Sequence, residues 1–117
     1  MTPEIIARVD AWLAHSTRPV LWLNLDWRTA CLALADRQTD RGRASCEAAM
    51  TGILVALVRE AWGMPNLRPG HYQRIGFPGS RPYRPEMWSI CPPESGGPYE
   101  GETEAECLVV CLEAAPE

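Results

Sequence analysis

Few residues in this chain are of a type that does chemistry: five cysteines, two histidines and a set of carboxylates. His71 and Cys91 fall on two stretches that read as neighbouring strands. Together they would be a thiol beside an imidazole base, the core of a nucleophilic site. A reactive thiolate also needs an electropositive, partly exposed setting. The local sequence Ser89-Ile90-Cys91-Pro92-Pro93 supplies none. Cys107 and Cys111 stand four residues apart on one helix face, a spacing that offers two metal ligands. Zinc takes about four ligands from Cys, His or carboxylate, and the chain has no CxxC and no HxxxH. The pair therefore reads as buried thiols, and neither metal nor cofactor is expected. No Gly-x-Gly-x-x-Gly, Gly-x-Ser-x-Gly or His-Glu-x-x-His motif is present. The chain also contains no lysine, which excludes a P-loop lysine, a Schiff base and pyridoxal phosphate chemistry. No catalytic residue is assigned.

What remains is charge. Residues 1–85 hold 11 Arg against 7 acids, whereas residues 86–117 hold 8 Glu and no basic residue. Arginine without lysine accords with a GC-rich coding sequence as well as with arginine's stacking and bidentate bonding. Glu102, Glu104 and Glu106 gather at the start of a helix, where the dipole favours acids. Glu94, Glu100, Glu113 and Glu117 have no such local reason. The acidic third suits a basic partner. Opposite in sign is Arg81-Pro82-Tyr83-Arg84-Pro85, arginines around a tyrosine on a proline-stiffened loop, which suits a protein hot spot. The candidate partner-binding residues are thus Arg81, Tyr83, Arg84, Glu94, Glu100, Glu102 and Glu104. The loop and the acids could equally close on one another. A pI near 5.2 and the lack of a basic run argue against direct nucleic-acid binding.

The elements that must position these residues follow from periodicity and caps. Thr2-Pro3-Glu4 opens a helix whose stripe is Ile5, Val9, Trp12 and Leu13, ending near His15-Ser16. Pro19 to Leu25 fits a strand or a helix. A helix runs from about Asp26 to Arg37, and Gln38 to Arg43 reads as a turn. Ser45 to Trp62 forms the strongest helix, closed by Gly63 and Pro65; its apolar residues on nearly all sides make it central. Residues 65–98 hold 8 Pro and 5 Gly, which forbids a long helix but leaves two strands, His71–Phe77 and Met87–Cys91. Thr103 and Glu106 form a capping box for the last helix, to about residue 115. One or two of the five tryptophans belong at the core edge or surface, because the indole N–H needs a partner. The whole is a single α+β domain: three to four helices packed on a small antiparallel sheet. It is helical over 1–63 and rich in Pro and Gly over 64–101, with a helix over 103–115.

Residues 45–115 resemble the phage α-β-α sandwich domain. The likeness rests on Ala44-Ser45-Cys46-Glu47-Ala48-Ala49-Met50 leading into Leu57-Val58, and on the strand Trp88-Ser89-Ile90. It continues through Gly101-Glu102-Thr103-Glu104-Ala105-Glu106-Cys107-Leu108 and the ending Cys111-Leu112-Glu113-Ala114-Ala115. The resemblance implies a mobile-element origin but carries over no site residues. By analogy it suggests an acidic accessory protein that inhibits a host protein or ribonucleoprotein complex, as anti-CRISPR proteins do. An immunity or antitoxin protein would carry the same acidic face, and a small cofactor-free enzyme would use His71 and Cys91. Met1-Thr2-Pro3-Glu4 opens with neither a basic nor an apolar targeting region, and no apolar run nears the roughly 18 residues of a membrane span. The expected location is the host cytosol, with reduced thiols.

Overall fold

A computed structural model of the chain describes residues 1–16, 21–72, 87–93 and 96–116. Four helices and three strands follow in the order α1 (Pro3–His15), α2 (Leu21–Asp36), α3 (Asp40–Trp62), β1 (Gly70–Tyr72), β2 (Met87–Ile90), β3 (Tyr99–Gly101) and α4 (Glu104–Glu113). The strands form one antiparallel sheet in the order β1-β2-β3. The architecture is α+β, as composition and periodicity predict.

The caps act as the sequence predicts at both ends of the chain. Thr2 accepts from the Ile5 amide at 3.3 Å, and Thr103 accepts from the Glu106 amide at 3.1 Å. Each bond satisfies an amide that the first helical turn leaves without a partner. Gly63 closes α3 with φ 66°, the left-handed conformation a glycine takes without strain. The next amide, Met64, then returns to the Arg59 carbonyl at 3.0 Å.

Three elements differ from expectation. The ambiguous stretch before Asp26 is helical from Leu21 onward. The expected turn over 38–43 is mostly the first turn of α3, which begins at Asp40 rather than Ser45. There Thr39 is the cap, accepting from the Gly42 amide at 3.1 Å; the glycine that reads as a turn residue sits inside a capped first turn. Finally, the Gly-rich approach to the last helix contains β3, too short for its alternation to register in sequence. Tyr99 and Gly101 pair with Ile90 and Trp88 of β2. Residues 73–77 of the first expected strand lie outside the described residues.

The core gathers on α3 and α4. Met50, Leu54, Leu57, Val58 and Ala61 of α3 are fully buried, as are Cys107, Leu108, Val109, Cys111 and Leu112 of α4. Burial of each large aliphatic side chain contributes roughly 1.5–3 kcal/mol. The short α4 touches α1, α3, β2 and β3, so it shares with α3 the central place that periodicity assigns to α3 alone. Two indoles tie helix to helix: Trp27 donates to Asp10 Oδ1 at 2.9 Å, and Trp62 donates to the Cys111 carbonyl at 3.0 Å. Trp22 lies 77% exposed, while Trp12, Trp62 and Trp88 are half-buried at the core edge.

Candidate functional site

The acidic residues collect at the corner where β3 enters α4. Glu100 lies in β3 opposite Ser89. Glu102 is exposed in the bend that follows, and Glu104 and Glu106 occupy the first turn of the helix, half-buried. The corner is held by an unusually close approach. A Cβ built on Gly101 would stand 2.5 Å from the Cys107 amide nitrogen and 3.0 Å from its Cα. Only glycine lets β3 run this near the helix backbone. Cys107 Sγ donates to the Tyr99 carbonyl at 3.3 Å, and Tyr99 packs on Trp62 with ring centroids 6.0 Å apart. The Cys107 thiol is pushed up to about 12, first by burial, then by Cys111, Glu104, Glu100 and Glu106.

Glu113, which has no local reason in the sequence, is partnered within the fold: Arg8 of α1 binds both its carboxylate oxygens. Glu47 likewise receives the amino terminus of Met1. Arg81, Tyr83, Arg84 and Glu94 lie outside the described residues, so the structure brings together Glu100, Glu102 and Glu104 of the expected set. The charge split is incomplete in space: Arg8 binds Glu113 of α4, and Arg59 stands in the last turn of α3. Arg37, Arg41 and Arg43 are exposed at the start of α3, beside Asp36 and Asp40. The acidic corner lies toward the other end of α3, where Trp62 meets Tyr99. A helix of 23 residues separates the two ends by roughly 34 Å.

The residues suggestive of nucleophilic chemistry are placed apart. His71 pairs across the ladder with Trp88 and stacks on its ring, with centroids 4.6 Å apart. Cys91 is exposed just past the end of β2. It stands three residues beyond Trp88, roughly 10 Å along an extended chain. Cys107 and Cys111 are buried, as their helical spacing predicts, and burial pushes Cys111 up to about 11. Among the described residues no group of three or more His, Cys, Asp or Glu is placed to hold a metal ion. No helix among them is long and apolar enough to cross a membrane.

A second surface lies on α2. Trp22 and Leu32 are 77% and 71% exposed, and Leu25 is exposed on the same face. Beside this stripe a cleft of about 450 Å³ opens between α1 and α2, lined by Asp10, Leu13, Ala14, Asn24, Arg28, Cys31 and Leu32. Asp10 is already engaged by Trp27. The Cys31 thiol is raised by burial and then by Asp10, so the cleft favours binding over thiolate attack. The signal for this surface was present in the sequence. Leu21 to Leu34 places apolar residues on every side of a helix, more than one packed face can cover. That signal is ambiguous because Val20 to Leu23 also fits a strand.

The chain matches no protein-family model, no curated protein and no solved structure.

Proposed function

We propose that this chain is a non-enzymatic binding protein that inhibits a macromolecular partner, with the acidic β3–α4 corner as its contact surface. The reading extends to a mobile-element accessory protein of the anti-defence type, acting in the host cytosol on a protein or ribonucleoprotein complex. The resemblance over residues 45–115 supports that extension, and five free cysteines suit a reducing compartment. The observation that carries the reading is the corner itself. Glu100, Glu102, Glu104 and Glu106 lie within one strand end and one helical turn. A concentrated negative surface of this kind accelerates encounter with a basic patch and fixes its register. Pull-down from host lysate with the native chain and with Glu100→Lys/Glu102→Lys tests it. The native chain is expected to retain a partner that the variant loses, and retention is expected to weaken with salt. Equal recovery of the same partner by both proteins would remove the corner from the mechanism.

A further inference from the structure

We infer that the cleft between α1 and α2 binds a small zwitterion with an apolar body, a free apolar amino acid, with Asp10 taking its ammonium and Arg28 its carboxylate. This inference stands apart from the acidic corner and does not rest on it.

The cleft belongs to the frame of the fold. α1 packs on α4 and α2 packs on α3, while α3 and α4 pack on each other. The two helices that wall the cleft are consecutive in the chain but seated on different neighbours, which holds the space between them open. Buried Trp27 ties the walls together by donating across the gap to Asp10 Oδ1 at 2.9 Å. A site formed in advance spares its ligand the cost of ordering it. The volume of about 450 Å³ lies within the range of small-molecule sites.

Two short helical stripes supply the lining. Asp10 and Leu13 face it from α1. Asn24, Arg28 and Cys31 follow at four- and three-residue intervals along α2, with exposed Leu32 beside them.

Charge decides the ligand class. A carboxylate and a guanidinium line the same cleft, yet among the described residues they form no ion pair with each other, and Arg28 has no hydrogen-bond or ion-pair partner there. A simple anion drawn to Arg28 would also meet the negative Asp10, and a simple cation would meet the reverse. A molecule carrying both charges answers both walls and leaves the occupied cleft neutral. Trp27 engages Asp10 Oδ1, which leaves Oδ2 for an ammonium. Arg28 can hold a carboxylate through two parallel N–H bonds, and the Asn24 amide, one turn before it, offers a further donor. Leu13, Leu32 and half-buried Cys31 give the apolar wall for an aliphatic or aromatic side chain. Either charged contact alone is weak at an exposed site; the two charges and the apolar wall together define the ligand.

Isothermal titration calorimetry of the full chain with L-leucine tests the inference. The comparison ligands are N-acetyl-L-leucine, which lacks the ammonium, L-leucinamide, which lacks the carboxylate, and glycine, which lacks the apolar body. L-leucine is expected to bind with a Kd on the order of 0.1 mM, and each of the other three about tenfold more weakly. Asp10→Asn keeps an acceptor for Trp27; it should weaken L-leucine about tenfold and leave N-acetyl-L-leucine unchanged. Arg28→Gln should weaken L-leucine by a similar factor and leave L-leucinamide unchanged. Thermal melts verify that both variants fold. The wild type alone reports the location: saturating L-leucine should slow alkylation of Cys31 but not of exposed Cys91. Absence of saturable binding up to about 10 mM would overturn the inference. So would N-acetyl-L-leucine binding as tightly as L-leucine, unchanged affinity in both variants, or a Cys31 rate that L-leucine leaves unaltered.

Discussion

Gly101→Ala is the most sensitive test of how the acidic corner is built. The added methyl carbon would sit 2.5 Å from the Cys107 nitrogen, 3.0 Å from its Cα and 3.0 Å from the Glu106 carbonyl carbon. All three are backbone atoms of the first turn of α4, so no side-chain rotation relieves the clash. Either β3 moves away from the helix or the turn frays. Overpacking of this kind costs about 1–3 kcal/mol. With an unfolding entropy of about 2.1 cal/mol/K per residue, each kcal/mol lowers Tm by roughly 4 °C in a chain of this length. The expected loss is therefore about 4–12 °C. Gly52→Ala is the internal control. Gly52 lies exposed within α3, and a Cβ there meets nothing within 4 Å. Alanine at that site should stabilise by about 0.5–1 kcal/mol, raising Tm by roughly 2–4 °C. Thermal melts followed by far-UV circular dichroism read both variants. A Gly101→Ala Tm equal to that of the wild type would refute the close approach, and with it the corner's geometry.

Trp27→Phe should lower stability by about 1–2 kcal/mol, because it removes the donor to Asp10 and part of a buried ring; an unchanged urea midpoint would show that the α1–α2 link is dispensable. Thiol labelling of the native chain should modify exposed Cys91 first, while Cys46, Cys107 and Cys111 react only on unfolding. Rapid labelling of Cys107 would contradict its burial. The same thiols set a pH dependence. Folding raises Cys107 to about 12 and Cys111 to about 11 from an ordinary 9.0. Their contribution is therefore intact below pH 9.0, where unfolded thiols stay protonated, and is lost as pH rises toward 11 and 12. Urea midpoints should fall between about pH 8 and about pH 10.5, with a shallower slope in Cys107→Ala/Cys111→Ala. Equal slopes would exclude these thiols as the cause.

Local signals are legible wherever the chain interacts with its own near neighbours. Thr2, Gly63 and Thr103 act within a few residues of themselves, so their caps are legible from type and spacing alone. The burial of Cys107 and Cys111 follows from their place on an apolar helix. Thr39 is the counterexample: its cap is not legible from sequence because Gly42, three residues on, is equally at home in a turn. Glu113 needed the fold, since its partner Arg8 lies 105 residues away. So did Gly101, whose role depends on a helix that only tertiary packing brings against β3.

The sequence by itself determined the α+β class, the starts of α1 and α4 and the glycine stop of α3, the buried thiols, the exclusion of lysine-dependent chemistry and the division of charge between its two parts. Each depends on residue type or on periodicity within one element. Only the tertiary structure decided that Arg8 binds Glu113 and that β3 runs against the first turn of α4 at Gly101. It also decided which face of α2 is left over after Trp27 and Leu34 have entered the core. Whether a side chain is spare depends on what lies opposite it, and in a folded chain that neighbour is usually distant in sequence.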